Sequence, residues 1–348
     1  MNRQRLLIIA CGGTISSARV GDAIGASPTL TAQQLVADLP QLAAIADIEA
    51  STFSMLPSPH MTLDEVLRLL RFIDGRLDAE PAVDGVVVTH GTDTLEEVAF
   101  ALDLLWRHDR PLVVTGAMRN SSVPGSDGPA NLVAAALTAA SPAAAGLGVL
   151  VVVNDEIHAA RFARKSHTAS VATFRSPTIG PIGYLAEGDP RIVLAPRQRL
   201  PLRRVPDSVL DSPVALLKMA IGEDDRLLGH VVAAGYRGVV IEGFGGGHVT
   251  REIADSPALA ELLAQVPVVL SSRAGAGEPL RRTYSGFAGS EIDLLGRGLI
   301  SSGALDGPKS RVLLTLLLAT GADEDEIRLA FGRQGLYCLD DPALEGGR

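Results

Sequence analysis

Two short apolar runs, residues 6–10 and 85–88, each lead directly into a threonine-bearing turn, Cys11-Gly12-Gly13-Thr14 and Thr89-His90-Gly91-Thr92-Asp93-Thr94. Short unbroken apolar runs bounded by turn residues read as strands buried on both faces, the kind that parallel sheets use. An open parallel sheet binds its ligands at the carboxyl ends of its strands. Two hydroxyls delivered there by separate strands can therefore face one small molecule, which is a catalytic arrangement before it is anything else.

The rest of the pattern agrees with a parallel sheet. Strand-like runs near 5–10, 85–89, 111–115 and 148–153 alternate with helical periodicity near 31–38, 62–79, 93–107 and 128–140, as in successive βαβ units. Thr62 with Glu65 forms a capping box, and Asp127 before Gly128-Pro129 places a cap and an early proline ahead of the fourth helix. From Pro190 to Pro213 the text turns basic and proline-broken, so a linker is expected there. A second series follows: strands 214–219, 238–242 and 267–271, and helices 226–234, 255–264, 308–319 and 323–332. The predicted organisation is α/β throughout: a larger domain over 1–190, a linker over 191–212 and a smaller α/β domain over 213–348.

A chain of 348 residues with 47% hydrophobic content can bury two cores of this kind. Its 31 Lys and Arg against 40 Asp and Glu, a net charge of -9, give no basic stripe for nucleic acid. Cys11 and Cys338 are the only cysteines and neither has metal-ligand spacing. A reducing, cytoplasmic compartment is therefore expected, with no metal and no disulfide framework. The opening apolar run is too short for a signal-peptide core and reads as the first strand. No apolar stretch reaches the roughly 18 residues of a membrane span, since residues 132–145 are broken at Ser141-Pro142.

Glycines before Thr14 let the backbone turn sharply and approach a ligand, although Gly-Gly-Thr after a strand also occurs in plain β-to-α turns. The second turn carries more information. Several polar side chains cluster where a strand meets a helix, and a cap needs only one of them. A threonine hydroxyl needs a base to become a useful nucleophile, and a lysine can act when its surroundings favour the neutral amine. Lys165, in Arg161-Phe-Ala-Arg-Lys-Ser-His-Thr168, is a candidate, though such a lysine is more often a solvated surface charge.

Gly12-Gly-Thr-Ile15, Thr89-His-Gly-Thr-Asp-Thr-Leu-Glu-Glu97, Gly116-Ala-Met-Arg119 with Ser126-Asp-Gly-Pro129 and Asn131-Leu132, and Val171-Ala-Thr-Phe-Arg-Ser176 with Gly180-Pro-Ile-Gly-Tyr184 occur in this order. Ser271-Ser-Arg273, Tyr284, Gly289-Ser-Glu291 and Lys309-Ser-Arg311 continue the series. Together they resemble the bacterial-type L-asparaginase and glutaminase-asparaginase family over nearly the whole chain. That resemblance implies a two-domain asparaginase-like fold with a larger flavodoxin-like parallel-sheet domain. It also implies an amidohydrolase that converts L-asparagine to L-aspartate and ammonia through an acyl-enzyme, with no cofactor. Thr14 matches the family's nucleophile, and Thr92, Asp93 and Lys165 match its triad. Ser58 matches the serine that holds the substrate's α-carboxylate. Asp93 faces the α-ammonium, the Ala117 carbonyl accepts from the leaving amide, and the Thr92 N–H is the expected oxyanion donor. The family's sites are completed by a neighbouring subunit, which implies a homodimer or homotetramer; Glu278 and Arg281 are candidates to cross that interface.

The sequence also departs from the family. The loop after the first strand normally brings a tyrosine to the nucleophile, and here Ala26 takes its place. Either Thr92 and Lys165 then act through water, or Ser16, Ser17 or Ser27 enters the site. Pro59, followed by His60, stands where many relatives have a glutamine against the substrate. Proline offers neither an N–H nor a side-chain donor. His248 ends Gly243-Phe-Gly-Gly-Gly-His248 where many members have asparagine; it is either a substrate contact or an ordinary loop histidine. These changes leave room for L-glutamine, D-asparagine or a β-aspartyl amide as substrate, or for a non-catalytic aspartate- or asparagine-binding relative. A dinucleotide site fits poorly, since Cys11-Gly-Gly-Thr lacks the Gly-x-Gly-x-x-Gly spacing.

Overall fold

The structure is a computed structural model, described over residues 3–19, 25–195 and 201–335. Cys338 and most of the loop 20–28 that precedes or contains Ala26, namely residues 20–24, lie outside the described residues. The chain divides into two compact units between Pro201 and Leu202.

In the first unit the strands are β1 Arg5–Gly12, β2 Ser17–Arg19, β3 Ala26–Pro28, β4 Asp47–Leu56, β5 Gly85–Thr89, β6 Leu112–Thr115, β7 Val149–Val153, β8 Glu156–Ala159, β9 Arg164–Lys165, β10 Phe174–Arg175, β11 Gly183–Ala186 and β12 Asp189–Ile192. Its helices are α1 Ala32–Ala37, α2 Leu42–Ile45, α3 Leu63–Ala79, α4 Leu95–Leu105 and α5 Gly128–Ala140. Eight strands form one mixed sheet in the order β12-β11-β8-β7-β6-β5-β1-β4. The five strands β4, β1, β5, β6 and β7 are mutually parallel. Numbered among themselves by sequence, they lie in the flavodoxin-like order 2-1-3-4-5. The chain reverses its direction of winding between β1 and β5, the two strands that carry the threonine turns.

Alternation of side chains across the strands explains why both faces are covered. Leu6, Ile8 and Ala10 of β1, Val87, Val113, Leu150 and Val152 enter one core with Leu35 and the Leu132 and alanine face of α5. Leu7 and Ile9 point the other way and are equally inaccessible, on the side where α4 packs against β6 and β7 and α3 against α4. Helix α3 begins at Thr62, whose hydroxyl accepts from the Glu65 N–H, and it buries Val66, Leu67, Leu70, Ile73 and Leu77 at helical spacing. Only half of the expected capping box forms, because the Glu65 carboxylate pairs with Arg68 at 2.6 Å.

The sequence pattern omits several of these strands. The longest strand of the sheet, β4, reads Asp-Ile-Glu-Ala-Ser-Thr-Phe-Ser-Met-Leu and is mostly half-buried at the sheet edge, so it has no continuous apolar run to betray it. The antiparallel strands β8, β11 and β12 extend the opposite edge and make the sheet mixed rather than parallel throughout. β12 contains Pro190 and ends inside the basic, proline-broken stretch. Its edge position tolerates the missing N–H.

The second unit contains β13 Val214–Lys218, α6 Leu228–Val231, β14 Gly238–Gly243, α7 Arg251–Ala254, α8 Pro257–Leu263, β15 Val268–Ser272, α9 Glu291–Gly296, β16 Ile300–Ser301, α10 Gly307–Ala319 and α11 Glu324–Gln334. Its four strands are parallel and lie in sequence order. The helix expected over 255–264 forms as α8, capped by Ser256 with Pro257 at its start, and a further one-turn helix, α7, precedes it and ends at Asp255. The helix expected over 226–234 has only one turn, α6. Among the described residues, no helix is long and apolar enough to cross a membrane.

Candidate active site

β1 and β5 end side by side at the switch point, in register from Leu6 with Gly85 to Ala10 with Thr89. The first turn leaves β1 through Gly12 and Gly13, whose φ values are 87° and 79°, a left-handed region that other residues enter at a cost. A β-carbon on Gly13 would sit 2.2 Å from the Cα of Gly91, and one on Gly91 would sit 2.6 Å from the Cβ and Oγ of Ser58. Three backbones therefore converge: the Thr14 turn, the Thr92 turn and the single turn Ser58–His60 that follows β4. Gly13 lies against Gly91, and Gly91 against the Ser58 side chain, because neither glycine carries a side chain that would hold the segments apart.

Four polar residues of the second turn, His90, Thr92, Asp93 and Thr94, each have a partner of their own. Thr92, 5% exposed, accepts a hydrogen bond through Oγ1 from Lys165 Nζ at 3.0 Å. Lys165 Nζ also pairs with Asp93 Oδ1 at 2.6 Å, with the lysine side chain 15% and the aspartate side chain 60% exposed. Thr94 occupies the cap position of α4 without capping it. Its hydroxyl donates to the Ser58 carbonyl at 2.9 Å. Glu96 accepts the backbone N–H of Lys165. His90 turns inward, its Nδ1–H donating to the Gly91 carbonyl at 2.7 Å. Burial pushes the His90 imidazole down to about 4, with the Gly91 hydrogen bond working against that fall, so the ring is neutral near pH 7. Thr92 and Asp93 thus do not cap the helix, which starts at Leu95.

Lys165 comes from β9, paired with β10 outside the main sheet. Ala117, 1% exposed, follows β6. Its loop is held by Asp127, which does not cap α5 as its position suggests. The Asp127 carboxylate instead accepts the N–H groups of Met118 at 3.0 Å and Arg119 at 2.8 Å. Asn131 donates to the Gly116 carbonyl at 2.9 Å and accepts the Asn154 N–H at 2.9 Å. The sequence reading assigned no role to Thr94, Glu96 or Asn131. Their signal was present as polar residues in excess of what capping two helices requires.

The residues flanking the first turn have separate positions. The Ser17 hydroxyl is committed to the Gly13 carbonyl at 2.8 Å, the Ser16 hydroxyl is buried with no partner among the described residues, and Ser27 and Ala26 are exposed on β3. Pro59 and His60 are exposed beside the buried Ser58. His248 belongs to the second unit. Its Nε2–H donates to Glu291 Oε2 at 3.0 Å, and its ring meets Tyr284 and Phe287 edge-on at 5.2 and 5.5 Å. Burial works against ionisation of Glu291, but hydrogen bonds from the N–H groups of Tyr284, Glu291 and Thr283 and from His248 hold its carboxyl below the usual range. Glu278 is exposed and Arg281 half-buried in the same unit.

Comparison with known proteins agrees with this geometry. Residues 5–198 match the family described as asparaginase, N-terminal, and residues 213–331 match the glutaminase/asparaginase C-terminal domain. The chain is 35% identical over 340 residues to L-asparaginase 2 of Escherichia coli, covering 94% of this chain and 92% of that one. It is 33% identical over 279 residues to the glutaminase-asparaginase of Pseudomonas fluorescens, covering 78% of this chain and 76% of that one. The crystal structure of a probable cytoplasmic L-asparaginase from Campylobacter jejuni superposes with a TM-score of 0.77 at 32% identity, covering 94% and 99% of the two chains. Two family matches that together span most of the chain, on a fold that brings both threonine turns to one switch point, place this protein in the L-asparaginase and glutaminase-asparaginase family of amidohydrolases.

Proposed function

We propose that the protein hydrolyses L-asparagine to L-aspartate and ammonia, with Thr14 as nucleophile. The observation that carries this reading is Lys165 Nζ held between Thr92 Oγ1 and Asp93 Oδ1, at 3.0 and 2.6 Å, in the turn that touches the Thr14 turn through Gly13 and Gly91. Thr14 Oγ bonds to the amide carbon, and the C–N bond breaks. The hydroxyl proton leaves through the Thr92 and Lys165 pair by way of water, and the amide nitrogen takes up a proton to depart as ammonia. Water then cleaves the ester, releasing aspartate and restoring the Thr14 hydroxyl. The commitment of the Ser17 hydroxyl to Gly13 favours this proton route over one through Ser17.

In this reading Ser58 holds the α-carboxylate, Asp93 the α-ammonium and the Ala117 carbonyl the departing amide. Pro59 borders the carboxylate end beside Ser58, and the Thr92 N–H faces the developing oxyanion. The same reading carries a cytoplasmic location and a homodimer or homotetramer. Ammonia release from L-asparagine, measured with a Thr14→Ala control, tests the proposal. Absent turnover, or turnover unaffected by the substitution, rejects it. A second substrate is favoured by Pro59, which leaves the ligand's ammonium end without a side-chain acceptor. Comparing kcat/KM for L-glutamine, D-asparagine and a β-aspartyl amide with that for L-asparagine decides between them.

A further inference from the structure

Lys165 belongs to the small hairpin β9 and β10, separate from the eight-stranded sheet. The tip of that hairpin is tied to itself. Ser166 N–H donates to the Thr173 carbonyl at 2.8 Å, the Ser166 hydroxyl to the same carbonyl at 2.7 Å, and His167 N–H to Thr173 Oγ1 at 2.8 Å. These bonds shape the hairpin but do not place it against the threonine turns. Glu96 does so: its Oε2 accepts the backbone N–H of Lys165, across 69 residues of sequence.

From this geometry we infer that Glu96 is a positioning residue for Lys165, an inference that rests on the amidase reading above. Glu96 stands in the first turn of α4, four residues beyond Thr92 and three beyond Asp93. One short segment therefore holds the lysine at both ends, its backbone through Glu96 and its ammonium tip through Thr92 and Asp93. A lysine tip reaches its partners through four rotatable bonds, so its position is only as well defined as its root. A carboxylate receiving a backbone N–H makes a charge-assisted bond, and the helix N-terminus favours the negative charge at that point. A carboxylate in a first helical turn often serves the helix alone. Here its oxygen is directed at another element of the fold, the one that carries the proposed base. Glu96 is assigned contact with no reacting atom and acts through the lysine.

The test is steady-state ammonia release from L-asparagine by the full chain and by its Glu96→Ala, Glu96→Gln and Thr14→Ala variants. Glu96→Ala is expected to lower kcat about 10- to 100-fold while KM changes by less than about 3-fold, the signature of a displaced catalytic group with binding intact. Glu96→Gln retains an acceptor oxygen at the same place and is expected to keep kcat within about 3-fold of the parent. Should Glu96→Ala fail to fold, Glu96→Met occupies the same space without an acceptor and carries the same expectation. An unchanged kcat in the variant lacking the acceptor overturns the inference. So does a Gln variant as impaired as that one, or a loss expressed in KM alone. If the unsubstituted protein releases no ammonia from any amide, the amidase reading fails and the role of Glu96 fails with it. If it turns over and Thr14→Ala abolishes turnover, a null result at Glu96 removes only the positioning role.

Discussion

Gly13 and Gly91 meet backbone to backbone, so that a β-carbon on Gly13 would lie 2.2 Å from both the Cα and the N of Gly91. The contact is what allows two strands' turns to present Thr14 and Thr92 together. Gly13→Ala forces the segments apart and also places a β-carbon on a residue with φ 79°. The expected outcome is at least about 2 kcal/mol of lost stability and a fall in turnover of about 100-fold or more. Urea unfolding and ammonia release measure the two effects. A Gly13→Ala protein with parental values of both would show that the turns need no such contact.

Lys165 lies 3.0 Å from Thr92 Oγ1 and 2.6 Å from Asp93 Oδ1, and the proposed mechanism asks its amine to move a proton rather than only to supply charge. Arginine keeps the charge but cannot be deprotonated in a protein. Lys165→Arg and Lys165→Met are therefore expected to lose turnover alike, by about 1,000-fold, within the upper range of acid–base contributions. Substantial activity in the arginine variant would mean that charge alone suffices.

The parts of the fold legible in the sequence were those whose residues depend on their own neighbourhood. β1, β5, β6 and β7 are buried on both faces, so each is written as a continuous apolar run. β4 lies at the edge, and every residue after Asp47 is half-buried with no alternation between its faces; its identity as a strand depends on pairing with β1, which local pattern does not encode. The site divides in the same way. Thr14, Thr92 and Asp93 stand out in their turns, whereas Lys165 reads by pattern as a surface charge and gains its expected role from the family resemblance. Glu96 and Asp127 look like helix-terminus carboxylates until their acceptors are seen serving Lys165 and the Met118-Arg119 backbone.

Thr94 donates to the Ser58 carbonyl at 2.9 Å, joining the turn proposed to hold the substrate's carboxylate to the turn proposed to carry out proton transfer. Valine has nearly the same shape and no donor. Thr94→Val is expected to raise KM for L-asparagine about 5- to 10-fold, on the order of one lost hydrogen bond, while kcat stays within about 2-fold. A loss confined to kcat would show that Thr94 serves the Thr92 turn and not Ser58.

Two buried histidines make stability depend on pH in a defined direction. Burial pushes His90 down to about 4 from an ordinary 6.5, opposed by its bond to Gly91. Burial and the Arg175 charge push His158 down to about 4 as well. In the unfolded chain both rings take up a proton near pH 6.5, while in the native state they do so only near pH 4. Between those limits the unfolded state binds more protons, so stability falls as pH drops from about 6.5 to about 4 and is flat with respect to these groups above that window. Each ring accounts for roughly 3 kcal/mol by pH 4. His158→Gln removes one of the two and is expected to flatten the decline by up to one proton's worth of slope, seen in urea midpoints measured at pH 7, 6, 5 and 4.5. A parental midpoint that holds constant from pH 7 to 4.5 would mean that neither ring stays neutral in the folded protein.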